Sequence, residues 1–157
     1  MRGHAVFLIA ALAAFPVRAQ AQDSKAVLAA GQAVFDAMAS KDTVALRRLL
    51  HPAVHFIATM EREGKAVSRV STLQDFVTQI GSMPGVPLER MWDAEVRVSG
   101  GIASIWTHYD FHMNGQFSHC GIDNFQFVRG EQGWLLTSII YTVVPKDCPK
   151  NPTGPPS

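Results

Sequence analysis

The stretch "IASIWTHYDFHMNGQFSHCGIDNFQFV" (residues 102–128) decides the fold. Asn114-Gly115 at its centre is a two-residue hairpin signal, because both central positions of the tight turn that matches strand twist need positive φ. On either side apolar and polar residues alternate with period two, the pattern of a strand with one face against a core. Two further strands flank this hairpin. "RMWDAEVRV" (90–98) precedes it across Gly100-Gly101, and "WLLTSIIYTVV" (134–144) follows across the turn at Gly130–Gly133. Together they form an antiparallel meander.

The residues before the meander read mostly as helix. Asp23 or Ser24 can cap a helix whose buried stripe is Val27, Ala30, Val34 and Met38, widened by Leu28 and Phe35. Asp42 caps a short helix with Leu46, Leu49 and Leu50, stopped by Pro52. "VHFIATM" (54–60) is a strand and "EREGKAV" a polar turn. In "STLQDFVTQI" a capping box of Ser71 and Gln74 starts a third helix, with Leu73, Phe76, Val77 and Ile80 on one face. Helices segregated before a long meander mean an α+β fold.

Turn chemistry sets a register. A two-residue turn at Gly100-Gly101 puts Val98 opposite Ala103, Val96 opposite Ile105, Ala94 opposite Thr107 and Trp92 opposite Tyr109. This mostly apolar set should face the helices, leaving Glu95, Arg97, Trp106, His108, Asp110 and His112 on the outer face. Carried through Asn114-Gly115, strict alternation brings Phe111, Ser118 and Cys120 inside with Tyr109. His119 falls outside opposite Asp110, and so does Asp123. Yet Phe125 and Phe127 are more apolar than Asn124 and Gln126, so the pattern has to switch face. One extra residue near Gly121, a β-bulge, would do this and turn Asp123 inward.

The chain ends carry other signals. Residues 1–21 combine Arg2, the apolar run Ala5–Phe15 and Ala19-Gln20-Ala21, which reads as a secretory signal peptide with an A-x-A cleavage site. The run is too short to span a bilayer, and no second one follows. Residues 22–145 form one domain, and 146–157 form a Pro-rich irregular tail. Cleavage removes Arg2 and Arg18 and no acid, so the formal charge changes from +1 to −1. That charge gives no electrostatic basis for binding nucleic acid or an anionic membrane.

The element order, the strand starts "GIASIW" and "GW", and "IDNFQF" (122–127) together resemble the nuclear transport factor 2-like (NTF2-like) superfamily over about residues 23–145. Its branches include ketosteroid isomerases, SnoaL-like polyketide cyclases and secreted proteins of the lumazine-binding type. The resemblance implies three N-terminal helices packed on the concave face of a strongly bent antiparallel sheet, a cone-shaped α+β barrel. It also implies a conical pocket and dimerisation through the sheet. "IDNFQF" looks like the isomerase motif in which an aspartate sits in the pocket beside aromatics, which implies that role for Asp123 and a wall position for Phe125. The isomerase pattern also calls for a base carboxylate, and "VHFIATM" and the helix before it offer no inward Asp or Glu.

These readings converge on a secreted, periplasmic domain that binds a small, largely apolar molecule. Its pocket would be lined by Trp92, Thr107, Tyr109, Phe111, Cys120 and Phe125, the apolar composition of a ligand cleft. The alternative is an isomerase, dehydratase or cyclase using Asp123 with Tyr109 or His119. A third reading is a non-catalytic dimeric interaction module using the His-rich outer face. His119 beside Asp110 would be an orienting pair for acid–base work, or part of a polar dimer surface. His108, His112, His119 and Asp110 match no metal-binding spacing, so neither metal nor other cofactor is expected. Trp106, Phe117 and Ile140 on the outer face point to a homodimer. Cys120 and Cys148, the only cysteines, should form a disulfide in an oxidising compartment, rather than leave Cys120 as a free nucleophile.

Overall fold

The structure, a computed structural model, describes residues 15–156. Within them α1 (Phe15–Ala39) and α2 (Thr43–Leu49) lead into the hairpin β1 (Leu50–Arg62) and β2 (Lys65–Thr72). After α3 (Leu73–Ser82) come β3 (Pro87–Ser99), β4 (Ile102–Met113), β5 (Gln116–Gly130) and β6 (Gly133–Thr142). The strands form one sheet in the order β2-β1-β6-β5-β4-β3. The expected meander is β3–β6, and β1 extends it by pairing parallel to β6. The fold is α+β, with the helices covering one face of the sheet.

Val27, Val34, Phe35 and Met38 of α1 are buried against Ile105, Phe125, Phe127 and Leu136 of the sheet. Leu28, expected on that stripe, is exposed, and Gly31 takes the buried place instead. A Cβ on Gly31 would sit 3.0 Å from Ile105 Cδ1, so glycine lets α1 lie close to β4. The expected signal peptide lies largely outside the described residues. Its last residues, 15–21, belong to α1, so Asp23 and Ser24 fall inside the helix and do not cap it. Ser24 Oγ donates back to the Gln20 carbonyl, and Asp23 pairs with Arg129 at 2.8 Å.

Asp42 caps α2 as expected, accepting from the amides of Val44 and Ala45. The capping box of α3 lies one residue further on than expected, between Thr72 and Asp75. An ionised Asp75 side chain accepts from both the amide and the hydroxyl of Thr72, a stronger pair than Ser71 with a neutral glutamine could make. "EREGKAV" is likewise only in part a turn. Glu63 and Gly64 take positive φ as the two residues of a hairpin loop, and residues 65–72 form an edge strand. It reads as polar because almost all of it is exposed.

Two bulges redirect the central strands. Pairing of β3 with β4 runs as expected from Ser99–Ile102 to Glu95–Trp106, then shifts, so Trp92 faces His108 and Met91 faces Tyr109. The extra residue lies at Asp93–Ala94, where Asp93 adopts φ 52°, a left-handed conformation that aspartate tolerates. The buried Thr107 hydroxyl lies 2.8 Å from the Trp92 carbonyl and restores a bond where the ladder is interrupted. In β5 the expected shift exists, but at Ser118 rather than Gly121. His112 faces Phe117, and the next pair is Phe111 with His119. From there on His119, Gly121, Asp123, Phe125 and Phe127 share the inner face. Cys120 points outward, contrary to expectation.

The tail is irregular in backbone and fixed to the outer face. Val144 exchanges both backbone bonds with Cys120, and Cys148 forms the expected disulfide with Cys120. Further along, Asn151 Nδ2 donates to Asp110, and Arg90 donates to the Gly154 carbonyl at 2.8 Å.

Candidate functional site

Between the helices and the inner face lies a cavity of about 180 Å³. Phe35 and Met38 of α1, Phe76, Ile80 and Met83 of α3, and Phe56, Phe111 and Ile139 of the sheet form its apolar lining. Phe56 and Phe76 stack across it with ring centroids 3.8 Å apart. Into this lining project Glu89, His119, Asp123 and Tyr141, with Ser71 and Gln79 completing it.

The two bulges account for the first three. Without the extra residue at Asp93–Ala94, Glu89 would point outward and Arg90 inward. With it, Glu89 shares the inner face with Phe111, and Arg90 meets Asp110 outside. The extra residue at Ser118 does the same for His119 and Asp123.

Asp123 is 1% exposed, and its Oδ2 has no hydrogen-bond partner among the described residues. Burial pushes its carboxyl well above the ordinary carboxylate range. Burial does the same to Glu89, reinforced by the negative charges of Asp123 and Asp110. Glu89 keeps some accessible surface, as a cavity wall does. Both acids therefore favour the protonated form. The His119 imidazole, partly buried between Phe111 and Tyr109, is held below its usual pKa because burial opposes its charge. Tyr141 lines the cavity, and burial together with Glu89 and Asp123 raises its pKa. It is a neutral phenol with no hydrogen bond among the described residues.

Several residues expected at the site lie elsewhere. Of the expected wall, only Phe111 lines the cavity. Phe125 is inward but packs deeper, against Phe35 and Phe127. The Thr107 hydroxyl is used by the β3 bulge. Trp92 lies on the outer face, stacked on His108, because the register has shifted. Cys120 is outside and bonded to Cys148. The Tyr109 hydroxyl donates to the Thr142 carbonyl at 2.7 Å, and its ring supports His119 and Tyr141 edge-on. Gly121 makes this arrangement possible, because a Cβ there would collide with the Thr142 carbonyl oxygen.

The expected His119–Asp110 pair does not form, since the two lie on opposite faces. Asp110 instead accepts two bonds from Arg90, at 2.9 and 2.6 Å, and faces His112 at 3.4 Å. Burial alone would raise the Asp110 pKa, but bonds from Arg90 and Asn151 outweigh it and hold the carboxylate ionised. Glu89 and Tyr141 were not anticipated. The signal for Glu89 was Asp93, a residue type that accepts the left-handed bulge position; Tyr141 follows from alternation with the buried Ile139.

No family model matches the sequence, and no curated protein matches it. Solved structures do match. One is a provisionally named dehydratase of the NTF2-like family from Streptomyces avermitilis, with TM-score 0.62 and 18% identity over 79% of this chain and 97% of that one. An NTF2-like protein with a cystatin-like fold from Novosphingobium aromaticivorans gives TM-score 0.63 and 15% identity, over 81% and 84%. The chain has the NTF2-like fold. An NTF2-like superfamily protein from Salmonella enterica, at TM-score 0.63 and 13% identity over 82% and 95%, shares it too. At these identities the likeness concerns the NTF2-like fold alone.

The raised acids give the fold a pH dependence of definite sign. A carboxyl whose folded pKa lies above its unfolded value binds more protons folded than unfolded, so stability falls as pH rises above about 4. Asp123→Asn removes that contribution. The variant should match the native protein near pH 4 and exceed it in stability at pH 8, in urea unfolding at both pH values. A difference independent of pH would mean that Asp123 is not held protonated.

Proposed function

We propose that the cavity binds a small, largely apolar, uncharged molecule carrying a carbonyl or hydroxyl oxygen. The observation that carries this reading is the buried, unpartnered Asp123 carboxyl on an apolar cavity. A buried polar group without a partner is costly, and a ligand oxygen accepting the Asp123 proton relieves that cost. Two acids that disfavour ionisation also select against an anionic ligand. The disulfide, and the absence of any helix among the described residues long and apolar enough to cross a membrane, support the secreted, periplasmic reading.

Glu89 favours a second reading, a proton-transfer enzyme of the isomerase or dehydratase kind. Two coupled acids divide one role each: the first to ionise raises the pKa of the other. Asp123 is the more deeply buried and keeps its proton to bind a ligand oxygen. Glu89 has accessible surface, ionises and acts as base, with His119 and Tyr141 as neutral hydrogen-bonding groups. The dehydratase name of the Streptomyces structure agrees with this class.

A thermal-shift panel of apolar ketones, lactones and phenols should give stabilising hits that Asp123→Ala loses. A panel without hits would contradict the binding reading. For a ketone that binds, NMR should show exchange of its α-hydrogens with deuterated water, slowed about 100-fold or more in Glu89→Gln. Binding without exchange would leave a binding protein only.

We further propose a homodimer through the outer face. One row across the sheet places Trp106, Asn124, Ile140, Ile57 and Val70 side by side, and Trp106, Ile140 and Val70 are exposed. Sedimentation should find a dimer at tens of micromolar that Trp106→Glu dissociates. A monomer throughout would exclude it.

A further inference from the structure

The cavity is small for a ligand site. Clefts that take drug-sized molecules run to roughly 300–1,000 Å³, whereas an apolar cavity of about 150 Å³ holds one benzene ring. At about 180 Å³ this one has room for a single six-membered ring bearing an oxygen. Of its polar lining, Asp123 is buried, Ser71 is half-buried and Gln79 is exposed, so the mouth lies beside Ser71 and Gln79. A ligand whose oxygen reaches Asp123 therefore has its body inside the cavity.

Each aromatic wall leans on another ring. Phe56 stacks on Phe76 at 3.8 Å, Phe111 on His119 at 5.0 Å, and Phe35 packs on Phe125 at 5.6 Å. A close-packed interior leaves such walls little space to retreat into, so the cavity does not widen at small cost. Flat aromatic faces suit a flat ligand, and a ring has few rotatable bonds to freeze on binding. Of the four phenylalanine walls, Phe35 and Phe56 are buried in the core, and Phe111 also holds His119. Phe76, half-buried on α3, remains as the wall whose only partner ring is another cavity wall. Its side chain is itself one six-membered ring, so removing it opens the space of one further ring.

We propose that the cavity selects a neutral ligand built on one six-membered ring with its oxygen on that ring, that it excludes a fused second ring, and that Phe76 sets this limit. The inference rests on the cavity being the binding site. It has a sign that apolar burial alone does not give. A second ring adds apolar area, and wherever it fits it tightens binding. Weaker binding of the larger compound is therefore the mark of a wall.

Titration calorimetry with two matched pairs tests it: phenol against 1-naphthol, and cyclohexanone against 1-tetralone. In the larger member of each pair the second ring is fused beside the oxygen-bearing carbon, so it cannot trail out of the mouth while the oxygen meets Asp123. The native protein should bind each one-ring compound about tenfold or more tighter than its fused partner. In Phe76→Ala the order should reverse, with phenol binding retained as the sign that the variant folds. Should that variant not fold, Phe76→Leu, which keeps an apolar side chain, should still narrow the gap. Fused compounds bound by the native protein as tightly as their one-ring partners, or more tightly, would overturn the size limit and leave the binding reading intact. An unchanged preference in folded Phe76 variants would remove Phe76 as its cause. No binding of any of the four compounds would count against the cavity as a binding site, and this inference would fall with it.

Discussion

The cavity depends on two single-residue insertions in adjacent strand pairs. Side chains alternate along a strand, so one extra residue exchanges the faces of everything beyond it. At Asp93–Ala94 the exchange trades Arg90 for Glu89 on the inner face; at Ser118 it brings His119 and Asp123 in and sends Cys120 out. Had both strands alternated strictly, the apolar cavity would hold an arginine, a serine and a cysteine, and the carboxyls would lie outside.

The outer face explains why the shifted register is preferred. Asp110 is buried there, and only the bulged β3 brings Arg90 opposite it for a two-bond ion pair. Without the bulge Met91 would face Asp110 and Arg90 would enter the apolar cavity. Leaving one partner of a buried pair uncompensated costs about 3–5 kcal/mol, enough to decide a register whose other pairings are nearly equivalent. Such a pair adds little net stability over a well-packed apolar contact, and its worth here is selection. The tail adds Asn151 and the Gly154 carbonyl to the same cluster, so the Pro-rich end is structural on the face opposite the cavity.

Much of the fold was legible because its signals are local. Asn114-Gly115 and Gly100-Gly101 mark hairpins by backbone need, although only Gly100 of the second pair takes positive φ. Asp42 marks a cap, and Val27, Val34 and Met38 mark a helix face. The cysteine pair was legible from count, since the chain holds only these two. Edge strand β2 was not, because an exposed strand does not need the apolar alternation by which strands are recognised. The site was legible only in part. A change of face could be inferred from Phe125 and Phe127, which need a core, and it correctly brought Asp123 inside. Its position could not be inferred, because Ser118 and Gly121 both fit the turn and the phenylalanines. That ambiguity misplaced His119 and Cys120. The Asp93 bulge left no apolar contradiction at all, since Trp92 and Met91 are equally acceptable inside, and so Glu89 stayed hidden.

The central claim is that two carboxyls face a largely apolar cavity and favour their protonated forms. Titration of the side-chain carboxyl carbons of Asp123 and Glu89 by NMR, in the oxidised protein, measures this directly. The account predicts that both titrate above the ordinary carboxylate range and that their curves are coupled, so that Glu89→Gln shifts the Asp123 titration downward. Two independent titrations near pH 4 would place both groups in water and contradict it.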